Sequence, residues 1–127
     1  MQGKNSGTLA LIAHDGKKAD MVAFVLSYRD RLKDYDLVAT STTGKKIEET
    51  TGLVVRKMLS GPMGGDAQIA AMVAEGKVTA VFFFVDPLAA QPHDPDIQGL
   101  LRVCNVHNVP LATNAATAQF IITGKTL

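Results

Sequence analysis

A glycine-rich turn that ends in a carboxylate is the part of this sequence best suited to chemistry. The run Ser60-Gly61-Pro62-Met63-Gly64-Gly65-Asp66, the glycine turn (residues 60–66), directly follows the apolar stretch 53–59. Glycines let a ligand approach main-chain N–H groups closely. A carboxylate beside such amides can remove a proton from a small substrate. The alternative is that Asp66 caps the following helix, and the turn taken by itself favours capping.

A second motif is suited to binding an anion. The run Thr40-Ser41-Thr42-Thr43-Gly44, the hydroxyl loop (residues 40–44), places four hydroxyls and a glycine at the start of a predicted helix. Unpaired amides and the helix dipole attract anions at such a position, and Lys18 can add positive charge. This set fits a phosphate monoester, although an ordinary helix cap would also explain it. No P-loop or dinucleotide-binding glycine pattern is present, which argues against nucleoside triphosphates and NAD.

Two histidines, His14 and His93, each follow a predicted strand. With nearby carboxylates they suggest groups that polarise a substrate or transfer protons; the carboxylates are Asp15, Asp66, Asp94 and Asp96. His107 lies in a predicted helix away from them, where a structural role is expected. No histidine or cysteine spacing typical of a metal site occurs, so we predict no metal.

Apolar segments alternate with helical stretches along the chain. The predicted strands are residues 8–13, 35–39, 53–59, 78–85 and 109–113. The run Val81-Phe82-Phe83-Phe84-Val85 is continuously apolar, as in parallel strands buried on both faces. Helical spacing of Met21, Val25, Tyr28 and Leu32 predicts a helix between two strands, and Gly52 and Gly76 lie where helices usually end.

These elements predict a single α/β domain over residues 1–127, with a doubly wound, five-stranded parallel sheet of flavodoxin-like type. Ligands of such sheets bind beyond the carboxyl ends of the strands. The unusual polar residues of this chain all fall at those ends. Their convergence on one edge is the main reason to expect an active site there, and it favours the base over the cap for Asp66.

Composition limits the classes of partner. The chain has 127 residues, a net charge of +1 and one cysteine, Cys104. No run of Lys or Arg exceeds two, which argues against nucleic acid, and the longest apolar run is too short to cross a membrane. A single cysteine excludes an internal disulfide and suits a reducing compartment. We therefore expect a cytoplasmic protein.

The motifs, in their order, resemble those of the methylglyoxal synthase family. The segments that carry the resemblance are Ala13-His14-Asp15, the hydroxyl loop, Leu59 with the glycine turn, Pro92-His93-Asp94-Pro95-Asp96 and Ala112-Thr113-Asn114. The similarity extends from the first predicted strand through Ile122. The glycine turn and residues 92–96 are its most specific parts. Ser41 departs from the pattern, because the family commonly has glycine there.

The resemblance implies that dihydroxyacetone phosphate is converted to methylglyoxal and inorganic phosphate without cofactor or metal. It also implies a homohexamer, with phosphate as product and possible inhibitor. Asp66 would be the base, His93 and the Gly61 amide would hydrogen-bond the substrate oxygens, and Asp96 would orient His93 or relay protons. The implied substrate-binding residues are His14, Lys18, Thr40, Ser41, Thr42, Thr43, Ser60, Gly61 and His93.

Two other functions remain open from the sequence. The allosteric domain of large carbamoyl phosphate synthetases shares this fold and binds effectors without chemistry, but it has no need for Asp66 beside His93. A flavodoxin-like electron carrier would also hold a phosphate in a hydroxyl-rich loop. That loop normally follows the first strand, and here residues 14–18 follow it, while the chain has no Trp to flank a flavin. Retention of both Asp66 and His93 favours the enzyme.

Overall fold

The computed structural model describes residues 7–88 and 97–124, which contain a parallel sheet of five strands. The strands are β1 (Thr8–Ala13), β2 (Asp36–Ala39), β3 (Val55–Lys57), β4 (Ala80–Phe84) and β5 (Leu111–Ala112). Helices connect them, and the predicted doubly wound parallel sheet is confirmed. The helices are α1 (Lys18–Ser27), α2 (Arg29–Leu32), α3 (Ser41–Thr51), α4 (Gly65–Ala74), α5 (Ile97–His107) and α6 (Ala115–Thr123).

The strand order is β3-β2-β1-β4-β5. The chain therefore builds outward from β1 to β3 and then crosses to the other side of β1, where β4 pairs with it through Ala13 and Phe84. Flavodoxin has the order 2-1-3-4-5, whereas this order is the one typical of dinucleotide-binding folds. Its switch point lies between β1 and β4. The crevice at the carboxyl ends of these two strands is thus where the fold itself favours a ligand.

Both faces of the sheet are buried by helices. Leu9, Leu11, Phe82 and Phe84 belong to one hydrophobic core, together with residues of α1, α2, α3 and α6. Alternate residues of the same strands pack into a second core with α4 and α5; these are Ala10, Ile12, Val81 and Phe83. Side chains alternate between the faces of a strand, so a continuously apolar run is what two cores require.

The helices largely follow the predicted spacing and end points. Met21, Val25 and Leu32 are buried, and Tyr28 packs against the same core. The helical segment is divided at Tyr28, which lies between α1 and α2 with φ −111°. Gly52 and Gly76 both have φ +76°, the left-handed conformation expected of glycine where a helix ends. No helix within residues 7–88 and 97–124 is long and apolar enough to span a membrane.

The short edge strand β3 is tied to α3 by one carboxylate. Glu48 Oε1 accepts a hydrogen bond from Lys57 Nζ at 2.6 Å, and Oε2 accepts one from the Val55 N–H at 2.9 Å. These two bonds hold the pKa of Glu48 below its ordinary value of 4.5, and the bond from Lys57 has the larger effect. Gly44 lets α3 lie close to β3, because a Cβ at Gly44 would lie only 2.7 Å from Cγ of Lys57.

Candidate active site

Three helical segments begin at the carboxyl edge of the sheet with uncapped N-termini. His14, Thr40 and Ser60 directly precede the short 3₁₀ turn Asp15–Lys17, helix α3 and the 3₁₀ turn Gly61–Met63. None of these three side chains accepts a hydrogen bond from its helical segment. At the start of α6, by contrast, Asn114 Oδ1 accepts from the Thr117 N–H at 2.9 Å. The uncapped segments present amide donors and positive dipole ends to a ligand.

The hydroxyl loop provides the first of these termini. Thr40 is 4% exposed and Thr43 is fully buried, while Ser41 is partly exposed and Thr42 is exposed. Within residues 7–88 and 97–124, the Thr43 hydroxyl has no hydrogen-bond partner. An unpartnered buried hydroxyl costs about 1–3 kcal/mol, which the protein tolerates in the first turn of α3, where an anion is expected.

Lys18 supplies positive charge beside the end of β1. Its Nζ donates to the Ala13 carbonyl oxygen at 3.2 Å and forms an ion pair with Asp15 Oδ1 at 2.7 Å. The Lys18 side chain is only 14% exposed. The ammonium group is therefore held at the carboxyl edge rather than extended into solvent.

The glycine turn contacts the hydroxyl loop directly. Gly65 is buried against the Leu59 carbonyl and the methyl group of Thr40. A Cβ at Gly65 would clash with the Leu59 carbonyl oxygen and would lie 3.0 Å from the Thr40 methyl carbon. The absence of a side chain at this position thus brings the turn that carries Asp66 next to the first residue of the hydroxyl loop.

Asp66 does not cap the helix. The N-cap of α4 is Gly64, with φ +100°, and Asp66 is the second residue of the helix. Its side chain is partly exposed and makes no hydrogen bond or ion pair within the part of the chain that the structure describes. Because the capping alternative fails, the carboxylate remains available for proton transfer.

His14 is held as a hydrogen-bond donor at the switch point. Its ring is 5% exposed and packs edge-to-face on Phe83, with the ring centres 5.4 Å apart. Nδ1 accepts a hydrogen bond from the Asp86 N–H at 2.9 Å. A neutral imidazole that accepts at Nδ1 carries its proton on Nε2, so this ring can donate but cannot act as a base through Nδ1.

The remaining predicted residues divide into two groups. Ser60 and Gly61 lie at the start of the glycine turn, and Gly61 is the first residue of a 3₁₀ turn, so its N–H has no partner inside that turn. His93 and Asp96 fall outside the described residues, as do Asp94 and Pro95. Their assigned roles stay predictions. His107 is the last residue of α5 and exposed, away from this edge.

Two hydrogen bonds at this edge of the sheet have no signal in the sequence. Gln68 Oε1 accepts a hydrogen bond from the Leu59 N–H at 2.8 Å, and the backbone of Asp86 fixes the His14 ring. A glutamine in an apolar helix and a main-chain amide carry no motif that would reveal them.

A cavity of about 760 Å³ lies beside the predicted site, and none of its lining residues was predicted to bind substrate. It opens between α1, the end of β4 and the start of α6. The residues around it include Phe24, Tyr28, Phe84 and Asn114. No group of three or more His, Cys, Asp or Glu residues in the described segments could hold a metal ion.

Comparison with known proteins agrees with this architecture. A model of the MGS-like domain family matches residues 20–113, and the chain belongs to this family. Over 114 residues it is 63% identical to a methylglyoxal synthase of Thermus thermophilus, and these residues make up 90% of each chain. It is 54% identical to a methylglyoxal synthase of Bacillus subtilis, over 90% of this chain and 83% of the relative.

A solved structure gives the same result. The chain is similar to the crystal structure of methylglyoxal synthase from Elizabethkingia anophelis, with a TM-score of 0.92 and 46% identity. The match covers 94% of this chain and 78% of the other. From sequence identity at this level over most of each chain, we conclude that the protein is a methylglyoxal-forming enzyme that acts on a small molecule.

Proposed function

We propose that this enzyme converts dihydroxyacetone phosphate to methylglyoxal and inorganic phosphate. The observation that carries the proposal is the contact of Gly65 with Thr40 and Leu59. It brings the turn that carries Asp66, a carboxylate with no partner among the described residues, next to a helix terminus suited to phosphate. An acid or base next to a phosphate pocket is what this substrate requires, since its reacting carbons lie within a few bonds of its phosphate.

The hydroxyl loop and Lys18 would bind the phosphate. The first amides of α3 and the hydroxyls of Thr40, Ser41, Thr42 and Thr43 supply neutral donors, and the Lys18 ammonium supplies charge. Amides at a helix N-terminus attract anions without further help. His14, as an Nε2–H donor, and Ser60 would line the same pocket. The hydroxymethyl end of the substrate would then lie towards the glycine turn.

Asp66 would remove a proton from the carbon that bears the hydroxyl group. An aspartate is a weak base, so proton transfer from carbon requires strong stabilisation of the enediolate that forms. The Gly61 N–H and His93 would donate to its oxygens, with Asp96 orienting His93 or relaying protons. One well-placed donor of this type contributes on the order of 10²–10³ in rate.

Elimination completes the reaction. The hydroxyl oxygen on the deprotonated carbon loses its proton, while the former ketone oxygen gains one, and an electron pair of that first oxygen forms the aldehyde C=O. The C=C electron pair of the enediolate shifts to the carbon that bears phosphate, the C–O bond to phosphate breaks, and phosphate leaves with the bonding electrons. The enol that remains gains a proton on its terminal carbon and loses the proton of its hydroxyl group to give methylglyoxal. This path requires the C–O bond to stand perpendicular to the enediolate plane, and the hydroxyl loop would impose that torsion.

The test is to incubate the protein with dihydroxyacetone phosphate and to measure methylglyoxal and phosphate together. We expect equal amounts of both. Asp66→Asn should lower kcat by about 10²–10⁴-fold, the usual contribution of a general base. Asp30→Asn, at an exposed aspartate of α2, is the matched control and should keep full activity. Near wild-type turnover in Asp66→Asn would refute the role of this residue.

The assembly and the location in the cell are part of the same proposal. We infer a homohexamer, as the resemblance implies, and a cytoplasmic location, as the single cysteine suggests. Large apolar side chains exposed on α5 and α6 support an interface there; Val106 is 69% and Phe120 is 82% exposed. Light scattering on the purified protein should give the mass of six chains, and a monomer at micromolar concentration would contradict the hexamer.

A further inference from the structure

We propose that Gln68 is a positioning residue that holds the glycine turn in the shape needed for catalysis. The proposal rests on the function proposed above, because it concerns how Gly61 and Asp66 come to face one substrate. Gln68 would not touch the substrate. It would act through the main chain of Leu59, at the point where the turn leaves the sheet.

The contact is a hydrogen bond between a helix side chain and a strand end. Gln68 Oε1 accepts from the Leu59 N–H at 2.8 Å. The preceding residue, Met58, still donates its N–H to the Ala39 carbonyl oxygen of β2 at 2.8 Å. Leu59 lies beyond the paired residues of β3, so Gln68 supplies the acceptor that the sheet no longer provides. Helix side chains point toward the N-terminus, which is how Gln68 reaches back over the turn.

The position of this bond links the two reacting groups. Leu59 precedes the donor residue Gly61 by two positions, and Gln68 follows the base Asp66 by two positions. The bond therefore ties the segment that leads into the donor to the helix that carries the base. Inside the turn, the Ser60 carbonyl oxygen accepts from the N–H groups of Met63 and Gly65. Those bonds shape the turn, whereas the bond to Gln68 fixes it to the helix.

Packing at the same place makes the arrangement sensitive to movement. The Leu59 carbonyl lies against Gly65, with no room for a Cβ. Without the bond to Gln68, the Met58–Leu59 peptide, which carries the Leu59 N–H, can rotate, and Ser60 and Gly61 would move with it. A displacement of about 1 Å at a reacting group can cost on the order of 10² in rate. The main proposed phosphate donors, Lys18 and the hydroxyl loop, do not contact this bond, so only the share that Ser60 adds to phosphate binding would change.

The experiment compares Gln68→Met, which removes the acceptor at nearly constant size, with Gln68→Glu, which retains it. Hydrogen exchange of the Leu59 amide reports on the bond without any substrate. Steady-state kinetics report on catalysis. In Gln68→Met we expect Leu59 exchange roughly tenfold faster, kcat lower by about tenfold to 10²-fold, and KM within about twofold. Gln68→Glu should restore slow exchange and most of kcat. Gln119→Met, at an exposed glutamine of α6, should change neither.

Each outcome decides the proposal. Faster exchange in Gln68→Met with unchanged kcat would show that the bond is merely structural, and would overturn the positioning role. Unchanged exchange of the Leu59 amide in Gln68→Met would also overturn that role, because the bond would then not hold the amide. If Gln68→Met does not fold, the temperature dependence of the Leu59 amide shift in the wild-type protein decides whether the bond exists, and Gln68→Glu decides whether an acceptor suffices. Wild-type protein inactive on dihydroxyacetone phosphate would refute the proposed function separately, while exchange would still report on the bond.

Discussion

Thr43 combines complete burial with a hydroxyl that finds no hydrogen-bond partner among the residues that the structure describes. Thr43→Val keeps the shape of the side chain and removes the hydroxyl. We expect the free protein to gain about 1 kcal/mol in free energy of unfolding, because an unsatisfied buried group is removed. We also expect KM for dihydroxyacetone phosphate to rise about tenfold, because a donor to a charged ligand is lost. Urea denaturation and initial-rate kinetics measure the two effects.

The two effects must occur together if Thr43 serves the phosphate. Thr50→Val, at an exposed threonine of the same helix, is the control and should leave KM unchanged. A gain in stability with no change in KM would place the Thr43 hydroxyl outside the phosphate pocket.

At the scale of single residues, the sequence predicted the glycine turn but not the separate roles of its glycines. The three glycines of the turn read alike in the sequence. In the structure Gly64 adopts φ +100°, whereas Gly65 allows close packing on Leu59 and Thr40. This difference depends on a contact with another strand, which no local pattern records. Gln68 and the Asp86 amide could not be predicted either, since their partners lie 9 and 72 positions away along the chain and no motif marks either pairing.

At the scale of elements, Glu48 of α3 accepts hydrogen bonds from Lys57 and Val55 of β3. These bonds predict that the contact between α3 and β3 becomes less stable in acid. A carboxylate whose pKa is lowered in the folded state stabilises the fold at neutral pH. That stability is lost as the pH falls below 4.5 through the lowered pKa of Glu48. Glu48→Gln should therefore be less stable than wild type at pH 7, and the difference should shrink on acidification.

Thermal melts between pH 7 and pH 3 measure this convergence. Glu49→Gln changes the neighbouring exposed carboxylate of α3 and should retain the wild-type dependence on pH. A stability difference between Glu48→Gln and wild type that stays constant down to pH 3 would contradict the prediction.

The existence of the strands was easier to predict than their ends or their order. β4 is a continuous apolar run, which indicates burial on both faces. The predicted strand, residues 78–85, is longer than the observed strand by two residues at its start and by one at its end. β3 was predicted over residues 53–59 but spans three residues. In the described part of the chain β3 pairs with β2 alone, from Leu37 to Ala39, so the length of β3 is set by this partner. The strand order likewise depends on pairing rather than on local composition.

At the scale of the whole molecule, the uncapped helix termini predict that phosphate stabilises the fold. A ligand that binds only the folded state adds RT ln(1 + [L]/Kd), about 2.7 kcal/mol at a hundredfold excess over Kd. We expect inorganic phosphate to raise Tm by several degrees, relative to chloride at equal ionic strength. Lys18→Ala should reduce this rise, whereas Lys17→Ala should retain it, because Lys17 pairs with Asp20 and lines the separate cavity.

Differential scanning calorimetry of the three proteins provides the measurement. An equal loss of the phosphate effect in both lysine variants would indicate a general charge effect rather than the pocket at β1. A full phosphate effect in Lys18→Ala would remove this residue from the pocket.

The cap that Asn114 forms on α6 has a consequence for how the molecule can change over evolution. This side chain accepts from the N–H and the hydroxyl of Thr117, and β5 lies at the sheet edge opposite β3. The start of α6 is thus held by bonds within its own first turn, and variation in β5 and α6 is expected to be limited by packing and by the proposed subunit interface. Residues 40–44 and 60–66 would have to satisfy the proposed chemistry as well as packing, so we expect tolerance to substitution to differ between the two halves of the sheet.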